Sequence, residues 1–218
     1  MKPLLAFLLS GSFLMAASLV EDLDPKQTEE VSGGAQVVLL EEVAGNPWPK
    51  VRIYQKVAAS PDEVAAVFCD YNAAKQYVPK IIKSEVARQI SPCVAEVDYG
   101  VDVPILPDEF YTARNTLMSE PDGGYVIKWH LLRAMQTKAS EGNLRIEKWK
   151  DGSLIRYTNL VIPGSRMAGL LKMPAIDQMR STVKAIVAQV EKQKSENPES
   201  LKTNVQALES ALKSDPVK

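Results

Sequence analysis

From Ile81 to Ile162 the chain writes one strand-like segment after another, and a long amphipathic helix then closes the series. Few architectures accept that order. The segments IIKSEVARQI, CVAEVDYGV, EFYTARNTLM, GYVIKWHLL, KASEGNLRIEKW and SLIRYTNLVI are rich in β-branched and aromatic residues. Ser91-Pro92, Asp122-Gly123-Gly124 and Asp151-Gly152 fall between them, where hairpins turn. The spacing predicts an antiparallel meander. From about Pro174 to Lys194 the apolar residues Ile176, Met179, Val183, Ile186, Val187 and Val190 recur at three and four, so one helical stripe faces a partner surface. An antiparallel sheet covered by a helix on one face curves around it, and the curve can leave a cavity between the two.

Upstream, AQVVLLEEV and KVRIYQKVAA read as two further strands joined by the breaker-rich AGNPWP. Ser60-Pro61-Asp62-Glu63 is a capping box with Pro at the first helical position, and it starts a helix whose apolar side is Val64, Val67 and Phe68. A second short helix or turn, Ala73 to Tyr77, ends before Pro79. The expected class is therefore α+β: a curved antiparallel sheet wrapped around a long C-terminal helix, with two short helices after the second strand. Beyond it, residues 195–218 carry Leu201, Val205, Leu208 and Leu212 along one side, an amphipathic helical tail that docks on its own domain or frays.

The first eighteen residues follow another grammar. One basic residue, Lys2, precedes an apolar run from Leu4 to Met15, and the small Ala16-Ala17-Ser18 precedes an acidic stretch. This is the pattern of a secretory signal peptide, too short in its apolar run to span a bilayer comfortably. The expected division is a signal peptide over 1–18, a flexible segment over 19–34, one domain over 35–194 and the tail. The mature chain then begins near Leu19 and is exported, to a periplasm or the exterior. A net charge of −1 with alternating signs offers nucleic acid no footprint.

The stretch ASPDEVAAVFCDYNAAKQYVPKI from Ala59 resembles the first-helix signature of the START-like, Bet v 1-type superfamily, the SRPBCC or helix-grip proteins. GYVIKWHLL, EGNLRIEKWKDGSLIRYTNLVIPGS and the helix after them resemble that family's later strands and closing segment, so the likeness runs from about Ala35 to Lys194. It implies a helix-grip fold with a deep apolar pocket between sheet and helix. Since the superfamily holds lipid carriers, ligand-binding allergens, cyclases and oxygenase subunits, it implies no particular ligand.

Chemistry beyond a pocket is thinly supplied. A Cys69 nucleophile needs a base, and the chain has one histidine, His130. In YVIKWHLL the apolar face is Tyr125, Ile127, Trp129 and Leu131, which sends His130 outward with Lys128. Asp70 more naturally brackets the helix-to-helix elbow. No metal set is assembled by one histidine and two separated cysteines, and no glycine-rich nucleotide loop exists, so neither metal nor cofactor is expected. Cys69 and Cys93, in an oxidising compartment, form a disulfide or stand as two buried thiols; pairing needs Cα atoms within about 7 Å.

Alternation places Ala95, Val97, Tyr99 and Val101 on one side of their strand, and Tyr111, Ala113, Asn115 and Leu117 on one side of the next. A wall built this way is mostly apolar with a few polar anchors, as small-molecule sites are. The candidate pocket is Val97, Tyr99, Tyr111, Ala113, Asn115, Leu117, Ile127, Trp129 and Leu131 on the sheet, with Ile176, Met179 and Val183 on the helix. In SLIRYTNLVI the two faces are equally apolar, so whether Arg156 or Asn159 points inward stays open.

Two apolar loop segments, Val103, Ile105 and Leu106 in VDVPILPDE and Met167, Leu170 and Leu171 in GSRMAGLLKMP, are expected to form a gate. In the resembled family the corresponding loop and helix start close over the pocket mouth, and Arg166 and Lys172 would meet lipid headgroups in transient membrane contact. The favoured reading is an exported protein that binds, and carries, a hydrophobic small molecule or lipid. The alternatives are a cyclase- or hydrolase-like enzyme using the same pocket and a groove that holds a partner protein.

Overall fold

The computed structural model describes residues 17–103, 106–164 and 168–215; most of the proposed signal peptide, with Ile105, Arg166 and Met167, lies outside them. Eight strands form one antiparallel sheet: β1 (Val37–Glu41), β2 (Lys50–Val57), β3 (Ile81–Ser91), β4 (Val94–Val101), β5 (Glu109–Ser119), β6 (Tyr125–Ala134), β7 (Thr137–Trp149) and β8 (Gly152–Pro163). Their spatial order is β1-β2-β8-β7-β6-β5-β4-β3, so the meander runs unbroken from β3 to β8 and β2 then joins its far side. β3, at one edge, breaks register against β4 in three places. The sheet does not close into a barrel.

Between β2 and β3 stand α2 (Pro61–Cys69), a 3-10 turn (Tyr71–Ala73) and α3 (Ala74–Tyr77), the two short helices expected there. The α2 capping box is complete: Ser60 Oγ accepts from the Glu63 amide, and the Glu63 carboxylate accepts from the Ser60 amide. The closing helix α4 spans Ala168–Glu196 and buries Ile176, Val183, Ile186 and Val190. Of these, Ile176, Val183 and Val190 meet Ile53, Val57, Leu144, Ile146 and Ile155 of the sheet in one core. Helix on curved sheet is thus the arrangement that the apolar spacing demanded.

Two boundaries differ from the sequence reading. The segment over 19–34, expected to be loose, is a 3-10 turn (Leu19–Asp22) followed by α1 (Pro25–Ser32), which Asp24 caps in a second box with Gln27. It packs on the outer face of the sheet, where Leu19, Val31, Val37, Tyr54 and Leu154 bury one another. The second boundary is at the start of α4, which begins about two turns before Pro174. Leu170, Leu171, Lys172 and Met173 are therefore helical rather than loop, and Pro174 lies inside the helix. The tail takes the docked form of the two that the sequence allows. It forms α5 (Pro198–Ser214), which buries Leu201 and Leu208 in the main core against α2. Asp215 beyond it accepts from Ser91 Oγ and the Cys93 amide, tying the chain's end to the β3–β4 turn.

Candidate ligand pocket

Register across the strands shows which side chains share the concave face. Tyr99 pairs with Tyr111, and Val97 with Ala113, which pairs in turn with Leu131. Ala95, Asn115, Trp129, Gly142 and Asn159 make a second row through five strands, and Leu117, Ile127, Leu144 and Tyr157 a third. Ile53 pairs with Tyr157 and is buried in the core with Val183 of α4, so this is the face that α4 covers. The nine sheet residues expected to line the pocket therefore do share one face, together with the helix residues Ile176, Met179 and Val183 in or against the same core.

The open question about β8 is settled by the same rows. Tyr157 and Asn159 point inward, while Arg156 lies outside and pairs with Asp22 at 2.7 Å. Alternation could not show this, because both faces of β8 are buried: Leu154 sits under the N-terminal helices and Ile155 in the core. A strand covered on both sides loses its period-two contrast. Gly142 was missed as well. A β-carbon there would run into the Thr158 carbonyl oxygen and the Trp129 indole, so the bare glycine gives Trp129 room to lie across β7.

Aromatic rings dominate the wall. Tyr99 and Tyr111 stack at 5.2 Å between centroids, Trp129 and Tyr157 lie 5.1 Å apart, and Phe68 of α2 approaches Trp129 at 6.1 Å. Tyr99, Tyr111, Trp129 and Tyr157 are each only half-buried in surface. Yet burial is the leading cause that pushes the hydroxyls of Tyr99, Tyr111 and Tyr157 above the ordinary tyrosine value. Partly free ring surface and a disfavoured phenolate thus coincide on the concave face of the sheet.

The polar anchors of this wall are neutral. Asn115 is buried, and its amide makes one long contact, 3.4 Å, with the Ala113 carbonyl. Asn159 donates to the Tyr157 hydroxyl at 3.4 Å, and its own carbonyl oxygen is buried with no hydrogen-bond partner. Glu109, a carboxylate on the inner alternation of β5, is committed to the β6–β7 turn: its Oε1 accepts from the amides of Met135, Gln136 and Thr137. The other charges of β4–β6 form a lattice on the opposite face, with Arg88 and Arg114 on Glu96 and with Lys83 and Arg133 on Asp98.

The stretch around Cys69 packs against the same face of the sheet. Tyr71, Ala95 and Val97 form a small core with Phe68, Cys69, Val86 and Tyr99 packed against it. The Ser84 hydroxyl donates to the Tyr71 carbonyl, and Asn72 Oδ1 accepts from the Val86 amide at 2.9 Å, stitching the elbow to β3. Burial pushes the Cys69 thiol up to about 12, so it holds its proton at neutral pH, and His130 stands exposed on the other face of β6. No nucleophile is activated here. Cys69 and Cys93 are both free thiols, the second of the two states the sequence allows.

Of the gate residues, Val103 and Leu106 are half-buried and Leu171 is buried, whereas Leu170 is 70% exposed. Ile105 and Met167 lie outside the described residues. Met173, also 58% exposed, joins Leu170 on the uncovered side of the first turns of α4. Elsewhere, a recess of about 640 Å³ opens between α2, the β7–β8 turn and α5. Charges of both signs, Asp62, Glu63, Lys148, Lys150, Asp151 and Lys194, line it, so it suits water rather than an apolar ligand. Among the described residues, no cluster of three or more His, Cys, Asp or Glu is placed to hold a metal ion.

No protein-family model matches the chain, and no curated protein matches it in sequence. Solved structures do match in shape. A STAR-related lipid transfer protein from Xanthomonas axonopodis superposes with a TM-score of 0.65 at 18% identity, over 72% of this chain and 93% of that one. The Zhui aromatase/cyclase from Streptomyces sp. R1128 gives 0.59 at 17%, over 67% and 96%, and human STARD10 gives 0.59 at 14%, over 75% and 74%. The chain has the START helix-grip fold. Lipid transfer proteins and aromatase/cyclases are both found among the solved structures that match it.

Proposed function

We propose that this START-fold protein is exported and carries a neutral, mainly apolar ligand, a lipid, in the recess between the sheet and α4. The observation that supports it best is the division of charge between the two faces of β4–β6. Tyrosines, asparagines and aliphatic side chains face inward, and the inward carboxylate, Glu109, is tied through Oε1 to three backbone amides. A ligand with a buried charge would find no counter-ion on that wall, whereas a hydroxyl-bearing amphiphile would find the unpartnered carbonyl of Asn159. An enzymatic reading, which the aromatase/cyclase neighbour keeps in view, lacks an acid–base pair among the wall residues.

Transfer needs a mouth. The first turns of α4 precede Pro174, whose ring removes the amide that would bond residue 170, so these turns are the weakest-held part of the helix. Leu170 and Met173 expose their side chains there, and they are the apolar groups that meet a membrane surface in this proposal. Leu171 is buried and holds the turn down instead.

Organic extraction and native mass spectrometry of the protein exported from its own host should yield a co-purifying neutral lipid. A ligand-free protein that turns over a polar substrate would overturn the carrier. In the same preparation, Leu170→Asp with Met173→Asp should slow lipid uptake from neutral vesicles at least about tenfold, with the circular dichroism spectrum unchanged. Wild-type uptake would remove the mouth from α4 and leave the ligand assignment standing.

A further inference from the structure

On the outer face of the sheet, β7 carries a buried carboxylate that lacks a cation of its own. Glu147 is 4% exposed, and among the described residues it takes part in no ion pair. Its two oxygens are held by the chain's own beginning: Oε1 accepts from the Ser18 hydroxyl at 2.7 Å and Oε2 from the Leu19 backbone amide at 2.9 Å. Both donors are neutral. Beside it Arg145, 7% exposed, spends its Nε on Glu120 at 2.8 Å and its Nη1 on the Ala17 carbonyl, while Nη2 is buried without a partner. Glu120, Glu147 and the more exposed Asp122 thus share one guanidinium. A buried, uncompensated carboxylate is costly enough that folded proteins rarely keep one.

The missing cation is written into the sequence. Ala16-Ala17-Ser18 places small residues one and three positions before the Ser18–Leu19 bond, the spacing that a leader peptidase accepts. Hydrolysis there breaks the peptide C–N bond. Water gives its hydroxyl to the Ser18 carbonyl carbon and a proton to the Leu19 nitrogen. After exchange with solvent, the departing leader ends in a carboxylate and the remaining chain begins with an ammonium group. The nitrogen that becomes that ammonium is the one already on Glu147.

We infer that Leu19 is the processed N-terminus and that its α-ammonium group is the structural counter-ion of Glu147. The inference rests on the export half of the proposed function and is independent of the ligand. Leu19 is fully buried among Leu23, Val31, Tyr54 and Leu154, so its side chain holds the new terminus in place. Cleavage accompanies translocation and precedes folding, so this burial does not hinder the peptidase. Processing sets two cations, Arg145 and the terminus, against the two covered carboxylates, Glu120 and Glu147, with Asp122 left at the exposed rim. It also removes the Ala17 carbonyl from Arg145, freeing a second guanidinium nitrogen for the acids. Export would thereby complete a buried ion-pair network that the unprocessed chain cannot make.

The test uses the full chain in a host that exports it, compared with the same chain made in a compartment without leader peptidase. Intact mass and N-terminal sequencing of the exported protein should give Leu19 as the first residue. Glu147→Gln should then lower the midpoint of thermal unfolding of the processed protein by roughly 5 °C or more, and that of the unprocessed chain by clearly less. Any other first residue, or absence of export, overturns the inference. So does an equal loss in both forms, which would make Glu147 a plain hydrogen-bond acceptor. Lipid extracted from the same samples tests the carrier separately.

Discussion

The two faces of β4, β5 and β6 are made by the same alternation and behave as different materials. On the concave face Tyr99, Tyr111, Asn115 and Trp129 are held by packing, and their polar atoms are neutral and sparsely bonded. On the convex face Glu96 accepts from Arg88 and Arg114, and Asp98 from Thr112, Lys83 and Arg133. Contacts inside have no water to replace them, whereas the ionic lattice outside competes with solvent at every point. The comparison teaches where this molecule is fragile. Size and shape matter on the inner face, and charge matters only weakly on the outer.

The largest expected effect comes from the smallest inner residue. Gly142→Ala places a methyl against the Thr158 backbone and the Trp129 indole, and the backbone of β8 cannot step aside. We expect a loss upwards of about 4 kcal/mol, read by urea unfolding; a near-neutral variant would show that Trp129 does not lie across β7. Trp129→Ala comes next, at about 3 kcal/mol, the low end of what truncating a core Trp costs, because the ring is half-buried. It should also deplete the co-purifying ligand, and a variant as stable and as loaded as wild type would take Trp129 off the wall.

Outside, Glu96→Gln should be the mildest. Hydrogen bonds from Arg88 and then Arg114 hold the Glu96 carboxyl down at about 2. Although only 12% of its side chain is open, the arginines that hold it are 62% and 38% exposed, so solvent screens the site. A depressed carboxyl stabilises the fold above the ordinary glutamate range and loses that contribution as pH falls toward 2. Wild type and Glu96→Gln should therefore differ slightly in thermal midpoint at pH 7 and converge near pH 2. A difference as large as that of Trp129→Ala would erase the contrast between the faces.

Most of this was legible in the residues. The meander, the capped α2 and the stripe on α4 follow from period and punctuation, and the inner faces of β4, β5 and β6 follow from alternation because one side of each meets water. The reading failed where a second layer covers the sheet. β8 lost its contrast under the N-terminal helices, and those helices were missed although Asp24-Pro25-Lys26-Gln27 repeats the grammar of Ser60-Pro61-Asp62-Glu63. The N-terminal extension of α4 was hidden by Pro174, which reads as a first-turn residue and stands instead in the interior. Gly142 carried no local signal, since its reason is an indole on the preceding strand.

The three register breaks of β3 carry a consequence for crowding. An open sheet ends in rows of unpaired amides and carbonyls on which another sheet can grow. The longest stretch of β3 in unbroken register, Lys83 to Val86, is four residues, and Lys83, Glu85 and Arg88 stud the edge with charge. The opposite edge, β1, is only five residues long. A neighbouring chain would find no straight template at either end. The molecule can thus leave its curved sheet unclosed around a greasy interior without seeding fibrils at high concentration.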